Sequence, residues 1–229
     1  MNSEISIIIP TFNEEDNVAE LIKQIETTFE NVNIKYEIIF VDDHSTDNTL
    51  KILESIKMEH SLNLFTKLGD KGKAQSLIEG FSHASYDVIA MIDADLQYLP
   101  KYILPMLTLI TNDIDIVMSN RLVSDSSLQR RIFSKLYRYI FGKLIHGLDF
   151  DIQSGLKVFK KEILEHVKLN PSPWTFDLEF LVKAKKAGYH MQSFDINFYQ
   201  RIHGESKIDI RAYFELAWGA IRIKLQQNK

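Results

Sequence analysis

The sequence predicts an α/β fold in which a mainly parallel β-sheet carries helices on both of its faces. Three observations support this prediction. Short apolar runs at residues 5–9, 36–41 and 88–92 are typical of buried strands. Segments with apolar residues at helical spacing separate these runs. Acidic pairs follow two of the strands, at the carboxyl ends where ligands bind in parallel sheets.

Each element follows from its local pattern. Apolar residues recur at helical spacing over residues 14–29, which predicts the first helix with Asn13 as its N-cap. Further strands are predicted at residues 62–65, 114–118, 157–159 and 192–197. Further helices are predicted from about residue 46, at 73–84, after Pro100, at 127–146, at 176–187 and from about 208.

Composition excludes several classes of protein. The chain has 229 residues, 45% of them hydrophobic, so it can bury enough surface to offset the entropy of folding. It has no cysteine, which excludes disulfide scaffolds, thiolate metal sites and a cysteine nucleophile. A net charge of −4 argues against a nucleic-acid partner.

The sequence shows no secretory signal and no apolar stretch long enough to span a bilayer. We therefore expect the protein to be cytoplasmic. No glycine-rich dinucleotide or P-loop motif follows the first strand, so the usual folds for those ligands are not indicated.

Two acidic pairs are candidates for chemistry. Asp42 and Asp43 end the second strand, and Asp93 and Asp95 follow the strand at 88–92, with Gln97 close behind. Two carboxylates and an amide oxygen form a hard oxygen site that suits Mg²⁺ or Mn²⁺. The alternative is that these residues only cap helices or form turns.

Five short motifs follow one another at residues 10–14, 41–47, 72–80, 93–97 and 119–121. Together and in this order they resemble the family 2 glycosyltransferases with the GT-A fold. Within that family, residues 93–97, 154–155, 201 and 204–207 are most similar to the dolichol-phosphate mannose synthase and polyprenyl-phosphate glycosyltransferase group. The resemblance extends from about residue 5 to 207.

The resemblance implies a nucleotide-sugar site, in which Asp43 would accept hydrogen bonds from the base. The residues expected to contact the donor are Pro10, Thr11, Phe12, Asn13, Glu14, Val41, Asp42, Asp43, Gly72, Lys73, Asp93, Ala94 and Asp95. The expected ligands of Mg²⁺ or Mn²⁺ are Asp95, Gln97 and Asp93. The chain departs from the family pattern at Phe12, where tyrosine is usual, at Ala74, where glycine is usual, and at Asp70, where asparagine is usual.

The resemblance also implies an acceptor site for a polyprenyl phosphate. The residues expected there are Arg121, Arg130, Arg131, Ser154 and Gly155. Arg201 and Lys207 would close over the donor diphosphate, and the catalytic set would be Asp95, Arg121, Arg130, Arg201 and Lys207. Arginine suits this role because its planar group binds phosphate with two hydrogen bonds.

Residues 126–148 contain five basic residues and no acidic one, interleaved with apolar and aromatic residues at nearly helical spacing. A basic amphipathic helix of this kind is typical of a membrane interface. The alternative is a helix that packs on the core and exposes a basic face to water. The helix predicted from residue 208 has a similar character and indicates a second interfacial or partner-binding element.

We therefore expect a GT-A domain at residues 1–207, with a nucleotide-sugar half up to 121 and an acceptor half from 122, followed by an amphipathic helix at 208–229. It would transfer a sugar with inversion from a GDP- or UDP-linked donor to a polyprenyl phosphate, peripherally at the cytoplasmic membrane face. A small membrane subunit is a candidate partner.

Two other functions stay open. One is a family 2 transferase that acts on a saccharide hydroxyl, with Asp177 or Glu179 as its base. Asp177 and Glu179 stand two residues apart on a predicted helix, so at most one of them would enter the site. Another is an inactive GT-A domain that binds a membrane partner. A metal-dependent nucleotidyltransferase is disfavoured, because the glycine-rich basic loop that it needs after the first strand is missing.

Overall fold

The computed structural model describes residues 3–58, 62–69, 71–124, 134–170, 175–199 and 210–227. Seven strands within these ranges form one mixed sheet. The strands are β1 (Glu4–Thr11), β2 (Lys35–Asp42), β3 (Leu62–Thr66), β4 (Val88–Met91), β5 (Ile116–Ser124), β6 (Lys157–Lys160) and β7 (Met191–Phe198).

Helices connect most of the strands. They are α1 (Val18–Phe29), α2 (Thr49–Lys57), α3 (Lys73–His83), a 3₁₀ turn (Pro100–Tyr102), α4 (Ile103–Leu109), a π-helix (Arg138–Ile145), α5 (Ile163–His166), α6 (Phe176–Lys186) and α7 (Ile210–Gln227). The α1 stripe of Val18, Leu21, Ile22 and Ile25 is buried, as its spacing predicts.

The strand order is β3-β2-β1-β4-β6-β5-β7. Strands β1 to β4 run parallel, and β5 runs parallel to β7. β6 is antiparallel to both of its neighbours, β4 and β5. The carboxyl ends of the six parallel strands and the first residue of β6 therefore lie at one edge of the sheet.

Two apolar clusters cover the two faces of the sheet. One contains Ile7 and Phe40 and packs under α1, and the other contains Ile8, Ile39 and Phe159 and packs under α3 and α6. The helix α3 lies very close to the sheet at Gly80, where an added Cβ would be 2.4 Å from the Ile8 side chain. The fold class predicted from the sequence is confirmed.

One local prediction is wrong. Asn13 is not an N-cap, because helix α1 begins at Val18 and Asn13 adopts a left-handed backbone with φ of +54°. The helix predicted at 127–146 is present in its described part, from residue 134, and it takes the wider π-helical form over Arg138–Ile145. Gly142 packs against Leu148 and Ile152 in this wider helix, a contact that helical spacing does not indicate.

Within the described ranges, no helix has the length and apolar character that crossing a membrane requires.

The edge of the sheet at which the parallel strands begin, opposite to their carboxyl ends, carries a structural ion pair. Asp115 accepts a hydrogen bond from Lys160 Nζ (2.6 Å) and one from the His190 amide (2.8 Å). Burial alone would raise the pKa of Asp115, but these bonds and the Lys160 charge outweigh it and hold that pKa below its ordinary value. The ionised carboxylate therefore stabilises the fold above the unfolded pKa of about 3.9.

We expect Asp115→Asn to lower the free energy of unfolding by about 1 kcal/mol at pH 7, because one charged hydrogen-bond acceptor of a partly solvated pair is lost. The difference from the wild type should shrink as the pH falls below about 4, since the wild-type carboxylate then protonates. Urea unfolding at pH 7 and pH 3 measures both values.

Asp149→Asn is the matched control, because Asp149 pairs with Lys143 at the surface, where both side chains are more than half exposed. Its free energy of unfolding should not change measurably at either pH. An equal loss of stability for Asp115→Asn at both pH values would contradict the assignment.

Candidate functional site

Loops at the carboxyl ends of β1, β2 and β4 hold strained residues. Asn13, His44 and Leu96 have φ values of +54°, +61° and +59°, in the left-handed region that residues with a Cβ rarely adopt. Each follows one of these three parallel strands. Strain of this kind persists where surrounding contacts impose it, and it is concentrated at functional sites.

Side-chain hydrogen bonds join the loops after β1 and β2. Asn13 accepts a hydrogen bond from the Thr46 amide (2.8 Å), and its own amide donates to Ser45 Oγ (2.9 Å). The Glu14 amide donates to Thr49 Oγ1 (2.8 Å). Asn13 and Glu14, both predicted to contact the donor, therefore also hold the two loops in one arrangement.

A buried lysine holds Asp43. Lys67 Nζ forms an ion pair with Asp43 Oδ1 and donates a hydrogen bond to the Gly72 carbonyl (3.1 Å), while the Gly72 amide donates to Asp43 Oδ2 (2.8 Å). The neighbouring Asp42 is fully buried and accepts a hydrogen bond from the Ser45 amide on Oδ2. Asp42 Oδ1 has no donor among the described residues.

The structure also describes the remaining residues that we predict to contact the donor after β1 and β2. Pro10 and Val41 are paired across β1 and β2, and Thr11 is buried, with its hydroxyl bonded to the Val41 carbonyl (3.3 Å). The Phe12 ring lies under Lys71, whose Nζ is 5.6 Å from the ring centroid. An aromatic face and a cation thus stand beside the Asp42 and Asp43 loop.

Asp93 lies at the centre of the site. Its carboxylate pairs with Lys73 Nζ (2.5 Å) on α3, and Asp95 follows Ala94 in a turn after β4. Burial raises the pKa of Asp93, and the Asp95 charge adds to this effect while Lys73 opposes it. The charges of Asp93 and Asp177 outweigh burial and raise the pKa of Lys73. The negative charge of Asp95 is therefore felt at Asp93 across the turn after β4.

Gly155 packs directly on Asp93. A Cβ at residue 155 would lie 2.2 Å from Asp93 Oδ2 and 2.9 Å from the Tyr98 ring. The preceding Ser154 is fully buried, and its hydroxyl is 2.5 Å from that of Ser119. Both residues were predicted to contact an acceptor, and the structure places them in the wall that supports Asp93.

Arg121 is bound to an aspartate that the sequence analysis did not identify. Its Nε and Nη2 donate to the two oxygens of Asp151 (2.5 and 2.9 Å), and its guanidinium lies 5.1 Å from the Phe198 ring centroid. Burial would lower the pKa of Arg121 and raise that of Asp151, but Tyr98 and Asp151 together raise the first, and Arg121 lowers the second. Arg121 is thus charged and fixed beside the site.

The structure separates Asp177 from Glu179. Asp177 binds Lys157, and its charge acts on Lys73, Asp93 and Arg121. Glu179 is buried on another side of α6, where it accepts hydrogen bonds from Lys183 (2.5 Å) and the Asn170 amide (2.9 Å). Of these two acidic residues, Asp177 is the one near Asp93.

The donor set fits a divalent ion that also binds substrate phosphates. Among the described residues, no three His, Asp or Glu side chains form a metal cluster. Mg²⁺ and Mn²⁺ commonly use one or two carboxylates together with substrate phosphates, and Asp93 and Asp95 provide two. Gln97 donates its side-chain amide to the Tyr199 carbonyl (3.0 Å), which ties the turn to the end of β7.

Four predicted site residues lie outside the described residues: Arg130, Arg131, Arg201 and Lys207. Three residues of the site were missed by sequence reasoning, namely Lys67, Asp151 and Lys157. Lys67 and Lys157 could have been found, because Lys67 closely follows a predicted strand and Lys157 begins one, and a charge buried there needs a partner.

The sequence matches a known family. The protein-family model described as Glycosyl transferase family 2 matches residues 6–168 of this chain.

Two curated relatives have names that include polyprenyl phosphates. A dolichol-phosphate mannosyltransferase from Pyrococcus furiosus is 32% identical over 220 residues, which are 93% of this chain and 61% of the relative. An undecaprenyl-phosphate 4-deoxy-4-formamido-L-arabinose transferase from Salmonella choleraesuis is 27% identical over 71% of this chain and 50% of the relative. The chain thus spans between half and about three fifths of the length of these relatives.

Solved structures share the fold. Mannosyl-3-phosphoglycerate synthase from Rubrobacter xylanophilus superposes with a TM-score of 0.75 at 20% identity, over 97% of this chain and 73% of that one. Glucosyl-3-phosphoglycerate synthase from Mycobacterium tuberculosis, solved with Mn²⁺, UDP-glucose and phosphoglyceric acid, has a TM-score of 0.75 at 16% identity, over 97% of this chain and 79% of that one. Both neighbours have the GT-A fold predicted from the motifs.

We expect Gly155→Ala to destabilise the protein by about 1–3 kcal/mol, because its methyl group would overlap the Asp93 carboxylate and the Tyr98 ring. Urea unfolding measures this loss. Gly69→Ala is the control, since an added Cβ there meets nothing within 4 Å. Equal stabilities of the two variants would show that the Gly155 contact is not close in solution.

Proposed function

This chain belongs to glycosyl transferase family 2, and on that premise we propose that it transfers a sugar from a GDP- or UDP-linked donor to a polyprenyl phosphate. The proposal includes inversion at the anomeric carbon and action at the cytoplasmic face of a membrane. The names of the curated relatives support this acceptor class.

One observation carries the proposal. At the carboxyl edge of the sheet Asp93 pairs with Lys73 of α3, Gly155 of the segment before β6 packs on the Asp93 carboxylate, and Arg121 is held by Asp151. A nucleotide would lie against the Asp42 and Asp43 loop, which places its diphosphate toward Asp93. The acceptor would approach from the side of Arg121.

The reaction needs no strong base. A phosphate monoester has its second pKa near 6, so an acceptor oxygen is already ionised at pH 7. This oxygen would attack the anomeric carbon while the bond to the donor diphosphate breaks. Arg121 is placed to bind the acceptor phosphate, and Arg130 and Arg131 are further candidates. Arg201 and Lys207 would stabilise the charge on the leaving diphosphate.

When bound by Asp93, Asp95 and Gln97, Mg²⁺ or Mn²⁺ would neutralise charge on the donor diphosphate. The crystal structure of the Mycobacterium tuberculosis neighbour contains Mn²⁺, which supports a divalent ion in this fold.

A two-helix surface supports a lipid acceptor. The chain around the π-helix exposes Leu136, Tyr139 and Leu144 next to basic residues, and α7 exposes Trp218 and Leu225 in the same manner. The two helices contact each other, because His146 Nε2 donates to the Ala220 carbonyl (3.1 Å). Exposed apolar side chains beside cations are suited to an anionic membrane surface. A small membrane subunit is a second candidate for this surface.

A second candidate function is transfer to a saccharide hydroxyl. It is favoured by the position of Asp177, which lies close enough to Asp93 and Lys73 to act on them electrostatically. Asp177 would then be the base that deprotonates the acceptor. The two functions differ in their product, since a saccharide product stays in the aqueous phase.

The transfer assay uses the purified chain, radiolabelled GDP-mannose or UDP-glucose, a polyprenyl phosphate in detergent, and Mn²⁺ or Mg²⁺. We expect label to pass into organic solvent, and Asp95→Asn to reduce the rate by about 100-fold or more, because a charge that stabilises the site is lost. Asp113→Asn, an exposed residue before β5, is the matched control and should keep the wild-type rate.

Two outcomes would contradict this proposal. Label that never enters the organic phase with either donor would exclude the lipid acceptor, and label on an added saccharide would favour the second candidate. Full metal-dependent activity of Asp95→Asn would exclude the assigned metal site.

Vesicle flotation tests the two-helix surface. We expect the wild type to bind vesicles that contain anionic lipid, and Leu144→Asp to bind about 10-fold more weakly, because an exposed apolar group is replaced by a charge of the wrong sign. Met58→Asp is the control, since Met58 is even more exposed than Leu144 but lies after α2. Equal loss in both variants, or no binding by the wild type, would argue against this membrane surface.

A further inference from the structure

We propose that Lys157 is a positioning residue of the transferase site, which holds Asp177 and the Ser154 carbonyl in place around Asp93. The inference rests on the proposed function, because it assumes that sugar transfer takes place at Asp93 and Asp95. Lys157 is fully buried, so it acts on substrates through the groups that it binds.

The direction of β6 places Lys157 at the site. Lys157 is the first residue of β6 and pairs with Met91, the last residue of β4, and with Met118 of β5. Asp93 follows Met91 by two residues. Because β6 runs against its neighbours, its first residue lies at the edge where the parallel strands end.

The ammonium group of Lys157 joins two separate segments. Its Nζ donates to the Ser154 carbonyl and to Asp177 Oδ1 in the first turn of α6. An isolated ammonium is strongly unfavourable in a protein interior, so a fully buried lysine keeps its two acceptors close. The Lys157 ammonium thereby holds the start of α6 and the segment before β6 together.

Both segments act on Asp93. Asp177 contributes negative charge at Asp93 and Lys73. Gly155 follows the Ser154 carbonyl, and its Cα packs on the Asp93 carboxylate. Loss of the Lys157 ammonium would therefore release two neighbours of Asp93 at once. A displacement of about 1 Å in a site of this kind can reduce the rate by about 100-fold.

Two other lysines provide matched comparisons. Lys160 lies on the same strand and pairs with an aspartate, but it stands opposite Val88 at the far edge of the sheet. Lys67 is also buried and also binds an aspartate and a carbonyl, but it does so in the nucleotide half. Lys160 thus tests the loss of an ion pair alone, and Lys67 tests the loss of a buried lysine elsewhere in the site.

The test is a double-mutant cycle with Lys157→Met and Asp177→Asn. We expect Lys157→Met to lower kcat by about 10- to 100-fold and to change the donor KM by less than about threefold. The double variant should be no slower than the slower single variant, because both changes release the same contact. Lys67→Met should instead weaken binding of the nucleoside diphosphate, measured by calorimetry with Mn²⁺.

Lys160→Met should lower Tm and keep the wild-type kcat. A kcat within twofold of wild type for Lys157→Met would overturn the proposal, and so would losses that multiply in the double variant. If Lys157→Met does not fold, the same cycle with Lys157→Arg decides: its kcat should lie below the wild-type value, because the guanidinium does not have the shape of the ammonium, and its coupling to Asp177 should persist. A wild-type kcat without coupling would overturn the proposal.

Donor hydrolysis without an acceptor separates this inference from the proposed function. In that reaction a water molecule attacks the anomeric carbon, the bond to the diphosphate breaks, and the nucleoside diphosphate is released. If polyprenyl phosphate receives no label but hydrolysis shows the same coupling of Lys157 and Asp177, the acceptor is wrong and the positioning role holds. If transfer proceeds and neither rate shows the coupling, the positioning role is wrong.

Discussion

Compensation of buried charge at one edge of the sheet is the constraint on which the rest of the structure depends. Four carboxylates at this edge each have a cation of their own, in the pairs Asp43–Lys67, Asp93–Lys73, Asp151–Arg121 and Asp177–Lys157. A carboxylate that is largely removed from water is destabilised unless it is paired or hydrogen-bonded, and each of these four cations comes from an element of its own. The end of β3, the start of α3, β5 and β6 provide them. The topology and the charge pattern therefore require each other.

Strained backbone turns the loops at the same edge, and hydrogen bonds hold these loops in place. The left-handed residues Asn13, His44 and Leu96 turn the chain sharply after three strands, and such backbone is kept only when contacts impose it. The bonds from Asn13 to Thr46 and from Gln97 to Tyr199 are contacts of this kind. The loops are thus arranged before a ligand arrives, which reduces the entropy lost on binding.

The sequence predicts local features of this protein better than distant pairings. Buried strands and the acidic residues after them were predictable, because apolar runs and turn residues act within a few positions, as at Asp93 after β4. The partners of the charged groups were not, since Arg121 and Asp151 are 30 residues apart and Lys157 and Asp177 are 20 apart. The π-helix also escaped prediction, because the packing of Gly142 on Leu148 and Ile152 is a tertiary contact.

The position of β6 in the sheet has a consequence for synthesis of the chain. β5 pairs with β6 and β7, both of which follow it in sequence, and β4 is separated from β5 by β6. While the ribosome extends the chain, β1 to β4 can pair as soon as they emerge. β5 stays an unpaired apolar strand until the residues of β6 follow it about 40 positions later, an interval in which such an edge is open to aggregation.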